Sequence, residues 1–583
     1  MDTFYTDRKN TLLLISLLKA HGIKKIVASP GTSNMPFVAS VQQDSFFEVY
    51  SSIDERSAAY IACGLAAESN EPVVISCTGA TASRNYMPGL TEAFYRKLPV
   101  LAITASQDVS RIGQNAPQLI DRRVIPNDVA KMSIHLPDIH TAQEEKDYTV
   151  LINKAILELT RDGGGPVHIN LTIADGLKKY NVKELPSVEK INRINYFDQF
   201  PDLPNGKIGI YVGAHKRWDQ RLINAVEIFC EKTNCVVLVD SISNYRGKYA
   251  VFSNIVTYQG KKTRELTNFE LLIHIGDIVG SDFKGFSFNQ VWRINEDGEI
   301  RSTFGKLKYV FEMPEYAFFE YYNGCTKEEK GENSILEWRK EIDKLRYKFS
   351  TKDIPFSNIW IAQNTFGKLP HNAVIHFAIQ NSLRCWNFFE GPKEVDGFCN
   401  TGGFGIDGNL SALIGASLVD KDKIYYGIIG DLAFFYDLNS LGNRHIGKNI
   451  RILLVNNNGG QQFRNNNSSG KQFGKEVNTY MAAAGHYGNQ SKELVKNYAT
   501  DLGFLYISAS SKEEYIDKLP IFLDKDSNKQ SIIFEVFLSE EEETKAMDLI
   551  THIETTTMHK GKVLASNILG EKRVDSLINK IQR

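Results

Sequence analysis

A chain of 583 residues is too long for a single hydrophobic core, so three or four domains of ordinary size are expected. Its 68 lysines and arginines balance 69 aspartates and glutamates, which argues against nucleic acid or an anionic membrane as partner. Seven dispersed cysteines without a C-x-x-C pair read as reduced thiols of a cytoplasmic protein, not a disulfide framework.

Thr11–Leu18 is apolar and follows Arg8 and Lys9, but Asp2 and Asp7 spoil a leader's charged start and Lys19 ends the run. It therefore reads as a first amphipathic helix over Lys9–His21 and not as a signal peptide. No run reaches the ~18 apolar residues of a membrane span. The strand Lys25–Ala28 follows, then the turn Ser29-Pro30-Gly31-Thr32, a short strand near Phe47–Tyr50 and a helix after Asp54. Next come a strand at Pro72–Ser76, a helix near Met87–Arg96, a strand at Pro99–Thr104 and a last strand at Gly165–Leu171. Alternation of this kind predicts an α/β fold, a mainly parallel sheet covered on both faces. The polar stretch Val182–Gly206 reads as a linker. A second α/β block has strands at Lys207–Gly213, Cys235–Val239 and Leu271–Ile275; a charged helical stretch, Thr326–Phe349, leads to a third. That block has strands near Ala373–Phe377, Ile424–Ile429 and Ile450–Val455. Beyond about Glu540 the tail is charged, and Val574, Leu577, Ile578 and Ile581 form an i, i+3, i+4, i+7 stripe suited to a docking helix.

The sharpest local signal is Gly430-Asp431 at a strand end, answered 26 positions after Asp431 by Asn457 within Asn456-Asn457-Asn458-Gly459-Gly460. One helix, roughly Asp437–Ile446, and one strand fit between them, which sets the two strand ends side by side. Asp carboxylate, Asn amide oxygen and a main-chain carbonyl are hard ligands that suit Mg²⁺, which completes its shell with phosphate oxygens and water. A helix N-terminus beside them favours a diphosphate. Cysteine and histidine spacing offers no metal site, and His168 and His274 inside apolar strands read as satisfied core residues.

Gly-Asp followed by Asn-Asn at this interval resembles the diphosphate motif of thiamine-diphosphate (ThDP) enzymes. Gly430-Asp431-Leu432, Tyr436–Leu441, Asn456–Gln461, Ser29–Thr32, Asp54-Glu55-Arg56, Gly165–Asn170, Asn381-Ser382-Leu383 and Gly405–Gly408 run in one order. That order resembles the family of 2-succinyl-5-enolpyruvyl-6-hydroxy-3-cyclohexene-1-carboxylate (SEPHCHC) synthases. The resemblance implies the ThDP-enzyme fold of three α/β domains. They are a pyrimidine-binding domain (1–182), a central domain (183–350) and a diphosphate-binding domain (351–540), with a helical extension at 541–583. It implies Asp431, the Asn457 side chain and the Gly459 carbonyl as Mg²⁺ ligands. Glu55 is implied as the acid that hydrogen-bonds the pyrimidine N1′ and so activates the cofactor, and Ile406 as the apolar prop that bends it. Ser382, Gly430, Leu432, Gly460, Thr78 and Gly79 are implied cofactor contacts. The glutamate and the diphosphate site of this family come from different subunits, so a homodimer or homotetramer with interfacial active sites is implied. No FAD is expected, since Gly213-Ala214-His215-Lys216 lacks the G-x-G-x-x-G turn.

The arginines with which the family grips two polyanionic substrates are replaced. Ser-Arg-Ser becomes Thr32-Ser33-Asn34, Asp-Arg becomes Ser106-Gln107, and two single arginines become Trp386 and Thr401. A Lys-Arg pair becomes Asp282-Phe283, with Lys284 adjacent. Gln118 is kept, and Gln461 and Phe463 complete the candidate substrate set. Arg84, Arg111, Arg122, Arg123 and Arg384 lie near these segments as cations that could rebuild an anion site. The expectation is a carboligase that decarboxylates a small 2-oxo acid such as pyruvate and joins the fragment to a carbonyl or alkene acceptor. SEPHCHC synthesis from 2-oxoglutarate, simple decarboxylation, and a catalytically silent ThDP-binding protein are the alternatives.

Overall fold

The computed structural model describes residues 4–173, 179–280, 285–326, 331–465, 468–486, 491–526 and 529–554. The chain folds as two compact units, one of residues 1–200 with 291–312, the other of 201–290 with 313–583.

The first unit is built on six parallel strands in the order Glu48–Ser51, Lys25–Ala28, Val73–Cys77, Val100–Ser106, Val167–Thr172, Met132–Leu136. The strands Val73–Cys77 and Val100–Ser106 are buried at every position, because helices cover both faces. Along Val100–Ser106 the side chains alternate. Leu101, Ile103 and Ala105 join a core with the helices Lys9–Ala20 and Ala142–Glu158, and Val100 and Ala102 join another with Glu55–Ser69 and Met87–Tyr95. The unit also pairs Leu307–Glu312 in parallel with Asn192–Asn195.

In the second unit Ala250–Phe252, Val236–Val239, Ile208–Val212 and Asn268–Ile275 are parallel neighbours in that order. A further sheet of six parallel strands runs Asp396–Cys399, Ala373–Phe377, Ile424–Gly430, Ile450–Asn456, Ile532–Phe537, Leu505–Ala509. Numbered within each sheet, both six-stranded sheets read 2-1-3-4-6-5. Ligands of such sheets bind at the carboxyl ends of the strands, next to the point where the order reverses. This is the mainly parallel α/β architecture expected of a ThDP-enzyme fold.

Several elements differ from the sequence reading. The helix Lys9–Ala20 is not amphipathic: Asn10 to Leu18 are all buried, and the Asn10 amide is satisfied by the carbonyls of Thr172 (2.7 Å) and Pro137 (3.1 Å). The linker stretch contains the strand Asn192–Asn195, concealed by polar side chains; Arg193 pairs there with Glu158 at 3.0 Å. The helix after Gly430 is Asp431–Tyr436, followed by a 3₁₀ turn at Leu438–Gly442. It starts earlier and stops sooner than the spacing suggests. Asp437 turns away to accept bonds from the amide and hydroxyl of Ser411, both at 2.7 Å. The charged stretch before the third block forms the helix Asn333–Ser350, and a separate helix, Glu315–Cys325, precedes it. Past Ser539 the chain forms a helix, Glu540–Thr551, with four glutamates in its first turn where the helix dipole favours them. Asp282, Phe283, Lys284 and the Val574–Ile581 stripe lie outside the described residues. Among the described residues no helix is long and apolar enough to cross a membrane.

Candidate functional site

In the second unit the strands Ile424–Gly430 and Ile450–Asn456 are direct neighbours, with Gly430 opposite Val455. Their ends bring Asp431 and Asn457 to one edge of the sheet. Asp431 is 2% exposed; its carboxylate accepts from the amides of Leu432 (2.7 Å) and Gly459 (2.8 Å). A carboxylate is an anionic, hard oxygen donor of the kind a divalent cation takes. The Asn457 side chain has no hydrogen-bond partner among the described residues. Gly459 sits at φ +125°, and a Cβ there would lie 2.4 Å from the Ala482 carbonyl, so only glycine closes this loop.

Arg464 holds the loop from behind. Its guanidinium donates to the carbonyls of Asn457 (3.0 Å) and Asn458 (2.6 Å), and its Nε donates to the Asn478 side chain at 2.8 Å. Glu540 completes the arrangement as an ion pair at 3.4 Å. Asn456 faces the other way and donates to Glu535 at 2.8 Å; burial raises the Glu535 carboxyl above its ordinary range.

Around this edge, Ser382 lies buried in the short helix Asn381–Trp386, which follows Gln380 at φ 64°, ψ −125°. That is a backbone region side-chain-bearing residues avoid, and such strain clusters at functional sites. Ile406 is 39% exposed despite its apolar side chain, as a residue facing a ligand would be, and its carbonyl accepts from Asn409 at 2.7 Å. Gln461 is buried and donates to Thr544 at 3.0 Å, while Phe463 is exposed, its ring within 2.9 Å of where a Gly460 Cβ would sit. Thr401 is buried, its amide bonded to the Cys399 carbonyl at 2.8 Å. Trp386 requires a correction: it is fully enclosed among Phe366 and Phe377, with its indole N–H donating to Asn358 at 3.0 Å. It packs as core and lines no open surface.

In the first unit the corresponding strand ends carry Ser29, Thr78 and Gln107. Asp54 caps the helix Glu55–Ser69, accepting from the Arg56 amide, which places Glu55 at the first helical position. The half-buried Glu55 carboxylate accepts from Asn85 at 3.1 Å. Thr32 and Ser33 lead to Asn34, which is 1% exposed and donates to the Ser29 carbonyl at 2.9 Å. A Cβ on Gly31 would meet Thr78 at 2.6 Å, and one on Gly79 would meet the Gln118 carbonyl at 2.7 Å, so these segments are drawn tightly together. Gln107 donates to the Pro117 carbonyl at 3.3 Å. The oxygens of Asn34, Gln107 and Thr78 are buried without a partner. His168 is a satisfied core residue, bonded to Thr104 (2.7 Å) and Ser133 (2.8 Å). The described cysteines are all free thiols.

Residues 9–124 match the family model "Thiamine pyrophosphate enzyme, N-terminal TPP binding domain". Over the whole chain, a SEPHCHC synthase of Phocaeicola vulgatus is 31% identical across 567 residues, covering 93% of this chain and 97% of the relative. The chain belongs to this family of ThDP enzymes. SEPHCHC synthases of Bacteroides thetaiotaomicron (29% over 566 residues, 93% and 98% covered) and Flavobacterium psychrophilum (29% over 563, 92% and 96%) are similar to the same extent. Membership makes the protein a ThDP-dependent enzyme, of a class whose general reaction is decarboxylation and carboligation.

The residues present fit such a cofactor. Among the buried polar atoms without a partner are those of Thr78, Asn34 and Gln107 near the carboxyl edge of one six-stranded sheet and of Gln380, Gln461 and Asn409 near that of the other. No group of three His, Cys, Asp or Glu side chains occurs among the described residues, so a cation at Asp431 would draw its other protein ligands from amide and carbonyl oxygens, the donor set hard Mg²⁺ prefers. Arg464 escaped the sequence reading. A lone arginine after Gln461-Gln462-Phe463 carries no spacing signal, and only the folded loop reveals it.

Proposed function

We propose that the protein is a ThDP- and Mg²⁺-dependent carboligase. It decarboxylates a small 2-oxo acid such as pyruvate and joins the remaining fragment to a carbonyl or alkene acceptor. When bound, the cofactor supplies the electron sink on which carbon–carbon cleavage and formation depend. The chain's residues position it: Asp431, the Asn457 side chain and the Gly459 carbonyl hold the metal against the diphosphate, with Gly430, Leu432, Gly460 and Ser382 around it. Glu55 holds a proton at the pyrimidine N1′, Thr78 and Gly79 flank the ring, and Ile406 supports its bend. In this reading the pyrimidine-binding domain of one copy (1–182) completes the diphosphate-binding domain (351–540) of another.

The observation that carries the donor and acceptor class is the direction of two amides. The NH₂ groups of Asn34 and Gln107 are committed to the carbonyls of Ser29 and Pro117, which leaves Asn34 Oδ1 and Gln107 Oε1 buried as unpaired acceptors. Flipping either amide would set oxygen against oxygen. The family resemblance puts arginine donors for carboxylates at Gln107 and at Ser33, the neighbour of Asn34; acceptors here instead favour a ligand that brings hydroxyl or N–H groups, such as a hydroxyl-rich keto compound. Each charge-assisted bond to a carboxylate that is missing costs about 1.5–3 kcal/mol, so two losses weaken a polyanion by about two or more powers of ten.

The second reading is SEPHCHC synthesis itself, which the names of the relatives favour. Mass spectrometry of products formed from pyruvate with a panel of hydroxylated carbonyl acceptors tests the proposal. A new carbon–carbon product supports it; free aldehyde with every acceptor refutes carboligation.

A further inference from the structure

Beside the strand Val100–Ser106 the first unit carries a partly open cavity of about 20 Å³, walled among others by Arg84, Tyr86, Met87, Thr104, Arg122 and His168. That is room for one water-sized particle. Arg122 is 3% exposed, and its Nη2 donates to the Ala105 carbonyl and to Asn170 Oδ1, both at 2.9 Å. Its Nε and Nη1 have no partner among the described residues.

Among the described residues no carboxylate pairs with Arg84 or Arg122. Asp121 gives its oxygens to Arg123, at 3.0 and 2.7 Å, and offers Arg84 only its main-chain carbonyl at 3.1 Å. The charged or titratable groups acting on Arg122 are Arg84 and the Cys77 thiol, and burial pushes that thiol up to about 12, so it stays neutral. Burial lowers Arg122 to about 10, which leaves it cationic at neutral pH. His168 remains uncharged, held down to about 3 by burial and by the same two arginines. Arg122 therefore carries buried N–H groups without a partner beside a second, half-buried guanidinium, and neither is ion-paired, an arrangement that a small anion would relieve.

We propose that this cavity binds one small monovalent inorganic anion of chloride size, held by Arg122 together with Arg84. The water-sized space is small for a 2-oxo acid, and its lining includes none of the candidate substrate residues Asn34, Gln107 or Gln118. Arg122 Nη1 lies 3.8 Å from where a Gly79 Cβ would sit, which makes the anion a support for the Thr78-Gly79 turn.

The test is the thermal midpoint of the full chain, titrated with sodium bromide in place of sodium gluconate at constant ionic strength. A saturating, bromide-specific rise is expected. Arg84→Gln raises the half-saturating bromide by about tenfold, the effect of losing one charge-assisted bond, and Arg122→Gln abolishes the response. Should Arg122→Gln fail to fold, anomalous diffraction from wild-type crystals grown in bromide decides, with a bromide peak expected in the cavity. Equal midpoints in both salts, or a water in place of bromide, overturns the proposal. Stabilisation by pyruvate but not by bromide also overturns it, and assigns the arginines to the substrate.

Discussion

The main-chain amide of Gly459 donates a 2.8 Å hydrogen bond to Oδ2 of Asp431, 28 positions earlier in the chain, and so locks the two strand ends of the second unit into one constellation. Asp431→Asn keeps an oxygen for that bond, so the fold should hold to within about 1–2 kcal/mol. The carboxylate charge is lost, and Mg²⁺-dependent ThDP binding should weaken by more than about 100-fold, beyond the range typical of outer-shell losses. Calorimetric titration of ThDP at fixed Mg²⁺ measures this. Unchanged affinity would remove Asp431 from the metal site.

Arg464 acts one layer further out, through the carbonyls of Asn457 and Asn458. Arg464→Met should raise the Mg²⁺ concentration needed for half-maximal ThDP binding by about 10–100-fold. Arg464→Lys should recover little, because a point charge cannot span two carbonyls and Asn478 as the planar fork does. A variant that only lowers the thermal midpoint, with metal affinity intact, would make Arg464 structural.

Glu55→Gln is nearly isosteric and keeps its contact with Asn85. Binding of ThDP should therefore survive, while exchange of the cofactor's C2 proton, followed by NMR, should slow by about 10²–10⁴-fold. Exchange at the wild-type rate would mean that another group activates the cofactor.

Glu543 predicts a pH dependence. It is buried, accepts from the Asn358 amide at 2.8 Å, and burial raises it from an ordinary 4.5 to about 7. The folded protein thus keeps a proton that the unfolded chain releases between pH 4.5 and 7. Glu543's contribution is fully present below 4.5 and falls as pH rises towards 7, by up to about 1.4 kcal/mol per unit. Glu543→Gln should flatten this part of the profile of thermal midpoint against pH and raise the midpoint at pH 8. Parallel profiles would contradict the assignment.

Strands buried on both faces, such as Val73–Cys77 and Ile450–Asn456, were legible because parallel sheets demand continuous apolar runs. Asn192–Asn195 was not, since a strand whose side chains form ion pairs and polar contacts leaves no hydrophobic period. Asp431 and Asn457 were singled out by their chemistry at two strand ends, and those strands are direct neighbours, whereas Glu55 was singled out by the family resemblance. Trp386 went astray because alignment position says nothing about which way a side chain points, and a large aromatic ring gains more from Phe366 and Phe377 than from a wet crevice. Arg464 makes contacts that exist only once its loop closes, so they carry no sequence signature.

The most direct test of the proposed reaction is CO₂ release by the full chain with ThDP and Mg²⁺, offered pyruvate and 2-oxoglutarate separately, with Glu55→Gln as control. Turnover of pyruvate, absent with 2-oxoglutarate and lost in Glu55→Gln, is the predicted result. Turnover of 2-oxoglutarate in preference to pyruvate would contradict it and assign the protein the reaction for which its relatives are named.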